Sequence, residues 1–291
     1  MAVLPKQTLF SLLPDDVRDV VFAKHRLQED LRFQDKSQTQ DFVKDCGIVS
    51  LFAGTELPSI QEAIAGEIVA NTGNERYGSG FGIAWIWSKD LPDEGHCAYG
   101  SFFREKATLI AQQHWPALVT LGHIDHQKAR KNKHLSTTAY QMASYIEANG
   151  PTQSDVLRKA LKYSGREGSS AFRKVLRELE RHWTIVAIRR GEHVGGADMH
   201  TWELTSRWLP DGVDKTAEKM TYQEAMGRLL VASIDAALVV EEQNIARWFG
   251  WTRSLTTRVI NRLLDEEHIH RVGGQKPLLI SSTLLDTWPS A

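Results

Sequence analysis

The sequence predicts an α+β fold, mainly helical, built from tandem winged helix-turn-helix modules. Two observations predict it. Three helical segments followed by strand, glycine-containing turn and strand occur twice, over residues 140–204 and 220–285. In each copy the third helix has one apolar stripe, with basic residues largely off it.

The first copy opens with YQMASYIEANG, where Met142, Tyr145 and Ile146 fall near helical spacing and Gly150 ends the run. Pro151 and a Ser/Thr cap start a short helix through Leu161. After a turn containing Gly165 and Gly168, the run SSAFRKVLRELERHW buries Phe172, Val175, Leu176 and Leu179, leaving Ser170, Arg173, Lys174 and Arg177 for a groove. WTIVAIRR and the run ending HTWELTSRW are strands around GEHVGG, whose tip would offer Arg189, Arg190 and His193. In the second copy YQEAMGRLLVASID, EEQNIARWFG and TRSLTTRVINRLLDEE are the helices, and HIHRVGGQKPLLI is the hairpin. Its outward residues would be Arg253, Thr257, Arg258, Asn261 and Arg262, with Arg271 and Lys276 on the wing.

The first 135 residues show no module by pattern alone. Residues 15–31, 39–45 and 59–70 read as helices. The run 78–101, rich in Gly and Trp, reads as strands and turns, with Trp85 and Trp87 alternating toward one side. That side would be core or a base-stacking platform.

Composition narrows the classes. At 291 residues there is room for two or three small domains, and 42% hydrophobic with 24% charged residues is ordinary for a soluble globular protein. No apolar run approaches the roughly 18 residues of a membrane span. The N-terminus meets Pro and two Asp before an apolar stretch of secretory length, so a cytosolic location is expected. Two cysteines are too few for a disulfide framework or a thiolate zinc site. Net charge is −1, yet the cations cluster. Residues 101–140 hold Lys128, Arg130 and Lys131 among their cations, and residues 168–190 hold Arg173, Lys174, Arg177 and Arg181. Such patches are solvated helix faces or phosphate contacts.

Candidate chemistry is sparse. Asp90 follows the WIW run and precedes Pro92, where a strand end could present it to a cleft. His123, Asp125 and His126 form H-I-D-H directly before KARKNKH and could activate water. Two His and one Asp lack the further ligand of a metal site, so no metal is expected. GSGFG lacks the Lys-Ser/Thr of a phosphate loop, so no cofactor is expected either. Glu62 and Glu67 read as solvated helix charges, and His114-Trp115-Pro116 could place an aromatic at a loop beside DNA.

Several ordered strings resemble the AlkZ-like winged-helix DNA glycosylases, in particular their AlkZ-related branch. They are CGIVSLFAGTELPSIQEAIAG, AWIWSKDLPDEGHCAYGSFFREKATLIA, IEANGPTQSDVLRKAL and NIARWFGWTRSLTTRVINRLL, within about residues 40–275. The resemblance implies three winged helices in a concave, C-shaped arrangement around duplex DNA, the first of them within residues 1–135. Residues 136–210 and 211–291 would be the second and third. It also implies hydrolysis of the bond joining a modified base to deoxyribose by a monomer. Characterised members carry Gln-hydrophobic-Gln or Gln-hydrophobic-Asp where this chain has Ser50-Leu51-Phe52. Gln38-Thr39-Gln40 lies about twelve residues upstream, in a polar stretch. Three classes therefore stay open: a glycosylase, a non-catalytic DNA binder, and an interaction scaffold.

Overall fold

The computed structural model describes residues 6–69, 80–87, 91–92, 95–190, 200–273 and 276–289, without the side chains of Arg189 and Arg190. Two N-terminal helices come first, α1 (Lys6–Ser11) and α2 (Asp15–His25). Asp15 and Asp16 in the first turn of α2 and Lys24 in its last match the helix dipole. Helix α3 (Ser37–Cys46) ends at Gly47, whose φ of +77° suits a residue without Cβ. A Cβ there would lie 2.5 Å from His114 Nε2, so the glycine also admits the His114 ring.

Three repeats follow, each entered from a helix. The first, after α3, is β1 (Ile48–Ser50), α4 (Ile60–Ala65), α5 (Phe81–Trp87), β2 (Cys97–Phe103) and β3 (Lys106–Ala111). Helices α6 (Trp115–Leu121) and α7 (His126–Lys131) connect it to the second. That repeat is α8 (Thr137–Asn149), β4 (Thr152–Gln153), α9 (Ser154–Ala160), α10 (Gly165–Arg181), β5 (Ile185–Arg190) and β6 (His200–Leu204). After α11 (Thr205–Trp208) and α12 (Val213–Glu218), the third is α13 (Tyr222–Ala237), β7 (Val239–Glu241), a 3-10 segment Glu242–Arg247, α14 (Arg253–Asp265), β8 (Ile269–Val272) and β9 (Leu278–Ser281).

All three sheets share one antiparallel order, β1-β3-β2, β4-β6-β5 and β7-β9-β8. In each, the last strand is central and the short first strand covers its far edge. Those first strands have two or three residues, too few for a periodic signal, and only pairing reveals them.

The helices expected over 15–31 and 59–70 end at His25 and Ala65, where Arg26 and Gly66 turn left-handed, and two further sequence expectations are corrected. The Trp85–Trp87 run is a helix, not a strand. Phe81 and Trp85, four apart and so on one helical face, both stack with Phe52, at centroid distances of 4.3 and 6.2 Å. Second, α10 starts at Gly165 and runs through Gly168, where a Cβ would lie 2.8 Å from the Tyr163 backbone. There the glycine allows close approach inside the helix instead of marking a turn.

The cores cross chain order. Ile48, Leu51, Ile60, Leu109 and Trp115 of the first region share a core with Met226, Leu230, Ile260 and Leu263 of the third repeat. The second repeat has its own core around Met142, Ile146, Phe172, Leu179 and Trp202. Leu9, Phe10, Leu13, Val17 and Val21 pack against Val239, Ile280 and Leu284, so the N-terminal helices cover the third sheet. Trp115 is fully buried, and its Nε1 donates to Ile110 O at 3.0 Å. No helix among the described residues is long and apolar enough to cross a membrane.

Candidate nucleic-acid interface

The last helix of the second and third repeats separates core from charge. In α10, Phe172, Val175, Leu176 and Leu179 are buried, while Arg173 and Lys174 project into solvent. In α14, Thr256, Val259, Ile260 and Leu263 are buried, and Arg253, Thr257, Arg258 and Asn261 are exposed. Lys128, Arg130 and Lys131 are exposed on α7. Lys128 Nζ lies 3.4 Å from Asp125, and Arg130 reaches Leu135 O at 3.4 Å. Arg253 and Lys276 line one cleft of about 520 Å³ with Thr257 and Gln243.

Other predicted contacts are engaged internally. Arg262 turns to α13, donating to Gln223 O at 3.0 Å and lying 3.6 Å from Glu266. Arg271 makes two 2.8 Å bonds to Glu242, which raise its pKa above the ordinary value. Arg177 lies 3.6 Å from Glu105. Arg189 and Arg190 belong to β5, but their side chains lie outside the described residues, as do Asp90 and His193.

The H-I-D-H residues do not converge on one point. Asp125 caps α7, its Oδ1 accepting from Lys128 N at 3.0 Å, and that bond lowers its pKa. His126 is buried, 3.3 Å from Glu147. His123 stacks on His134 at 4.1 Å and lies 5.0 Å from His182. Burial, then the two neighbouring histidines, lowers its pKa to about 4, so it is neutral at pH 7. Among the described residues no group of three or more His, Cys, Asp or Glu is arranged to hold a metal ion. Gln38 accepts from Gln34 N at 2.6 Å, a local bond at the start of α3.

Sequence reasoning missed the polar groups folded around β1. Glu62, read as solvated, is buried: Lys6 Nζ donates to it at 2.6 Å and Ser59 Oγ at 2.7 Å. The spacing Ser59-x-x-Glu62 signalled a helix start, and Ser59 does cap α4, but spacing carries no information about burial. The loop after Ser50-Leu51-Phe52 folds back on the strand. Ser50 Oγ lies 2.6 Å from Thr55 Oγ1, Gln61 N donates to Leu51 O at 3.1 Å, and Gln61 Oε1 accepts from Ala53 N at 3.1 Å. Glu56, 8% exposed, accepts from Arg104 Nη1 at 2.9 Å through one carboxylate oxygen. The other, also buried, has no hydrogen-bond partner.

Arg104 and Glu105 form the two-residue turn between β2 and β3, at φ of +51° and +55°. This left-handed region costs a non-glycine residue about 1–2 kcal/mol. Tertiary contacts hold the turn. Arg104 N donates to Trp248 O at 2.6 Å, Phe103 packs on Trp248 at 4.9 Å, and Glu105 meets Arg181 at 2.5 Å. The tip of the first repeat is thereby clamped between the second and third.

A family model described as AlkZ related matches residues 34–250. Among solved structures, the Streptomyces sahachiroi DNA glycosylase AlkZ is similar in fold, with a TM-score of 0.53 and 14% sequence identity. The match covers 92% of this chain and 70% of that one. No curated protein matches the chain.

Proposed function

The chain belongs to the AlkZ-related family, and on that premise we propose that it binds duplex DNA through three winged helices and hydrolyses the N-glycosidic bond of a modified, bulky base. We read the three repeats as those winged helices, with divisions near residues 135 and 210. The observation that carries the reading is the pair of exposed cationic faces, Arg173 with Lys174 on α10 and Arg253 with Arg258 on α14. In this architecture the last helix of a repeat is the one that meets a groove. The likeness in fold to a DNA glycosylase supports the same reading.

Cleavage of the glycosidic bond passes through an oxocarbenium-like state, which a carboxylate or amide stabilises while positioning water. Ser50-Leu51-Phe52 supplies neither group. Glu56 and Gln61, on the loop and helix folded against that strand, can supply such a group, and they join Asp90, Asp125 and His123 as candidates. With its lowered pKa, Asp125 is a charge stabiliser at neutral pH and not an acid. One observation favours a second reading, a non-catalytic DNA binder: Glu56 and Asp125 both already hold structural partners.

The deciding experiment is base release from duplexes carrying N7-alkylguanine, a cross-link or a bulky modified cytosine, with abasic sites revealed by alkali. Release by the wild type, lost in Glu56→Gln or Gln61→Ala with binding retained, establishes the enzyme and its chemistry. Salt-sensitive binding without release selects the second reading. Absence of salt-dependent binding sinks both, because phosphate contact releases counterions.

A further inference from the structure

The three repeats meet at a cleft of about 320 Å³ to which each contributes an arginine: Arg104 from the first hairpin, Arg181 from the end of α10, and Arg247 from the 3-10 segment of the third. Phe102, Trp248 and Phe249 form apolar walls. Glu105 lies in the cleft and meets both Arg181 and Arg177. Arg104 is backed by buried Glu56. Arg247 is exposed and has no hydrogen-bond or ion-pair partner among the described residues. Four guanidinium groups therefore face two carboxylates, and one cation is uncommitted.

We propose that this cleft is a phosphate site that seats a backbone phosphodiester of the bound nucleic acid. The planar guanidinium fork matches phosphate oxygens, and the apolar walls strengthen the attraction by excluding water. Placement favours a polymer as the source. Arg173, Arg177 and Arg181 stand four residues apart along α10, so one row of guanidiniums leads from its exposed face to the cleft. Glu105 holds Arg181 in place and yields it to the incoming phosphate. The site rests on the DNA-binding reading for its ligand, but it can be tested apart from that reading.

The test measures anisotropy of a fluorescent duplex against salt concentration for the wild type, Arg247→Ala and Lys174→Ala. Arg247 has no described partner, so its removal is expected to leave the thermal midpoint unchanged. Loss of one phosphate contact lowers the log–log salt slope by about 1. That decrease in Arg247→Ala, with tighter binding by Glu105→Gln, is the expected result. An unchanged slope in Arg247→Ala, while Lys174→Ala weakens binding, overturns the cleft and leaves the DNA reading standing. If the wild type binds no DNA, titration with inorganic phosphate followed by phosphorus NMR decides. Line broadening that Arg247→Ala abolishes keeps the site with a free phosphate as ligand, and its absence overturns the site as well.

Discussion

Replacing Glu62 by Gln removes one partner of an ion pair that the fold has taken almost wholly out of water. The Lys6 and Glu62 side chains are 6% and 2% exposed, 2.6 Å apart. Lys6 also donates to Leu57 O at 2.8 Å, so its ammonium cannot swing out without losing two partners. Leaving one buried charge uncompensated costs about 3–5 kcal/mol. The chain could escape that cost by undocking α1. Undocking would expose Leu9, Phe10 and Leu13, each worth about 1.5–3 kcal/mol. That loss is at least as large, so α1 stays and stability falls. The assay is urea unfolding followed by tryptophan fluorescence, with Lys6→Met, Glu62→Gln and the double variant forming a cycle. Each single change is expected to cost about 3 kcal/mol, and the double change clearly less than their sum. A cost below about 1 kcal/mol for Glu62→Gln, or strict additivity, would refute the buried pair.

Acid should weaken the fold early. Burial lowers the pKa of His114 and His123 to about 4, and those of His25 and His182 also fall below 6.5. The unfolded chain then takes up protons first, so this stability is complete above about pH 6.5 and is lost as pH falls through 4. A thermal midpoint that holds steady from pH 7 to pH 5 would contradict the assignment. Gly47→Ala should cost about 1–3 kcal/mol from the strained backbone alone, and more from displacement of the His114 ring, as read by thermal unfolding. Asp125→Ala should lose a helix cap worth about 1 kcal/mol, whereas Asp125→Asn keeps it. If Asn at that position abolishes base release with the midpoint intact, the role of Asp125 is chemical as well as structural.

The helices and hairpins of the second and third repeats were legible because their signals are local. Apolar spacing along α10 and α14, the Gly150 stop, and the glycine turn of the last hairpin each lie within a few residues of what they specify. The AlkZ-related family was legible in ordered strings for a related reason, since they run along the chain. The first repeat was not, because its first strand has three residues and α5 is apolar on nearly every side. What only the tertiary structure decided is burial and convergence. The chain writes Glu62 like any helix-surface glutamate, and nothing local tells that Lys6, fifty-six residues away, covers it. Nor does spacing bring Arg104, Arg181 and Arg247 to one cleft. Periodicity reports which face of an element is apolar, whereas the partner of a charge depends on how separate elements pack, and that is settled across the whole chain at once.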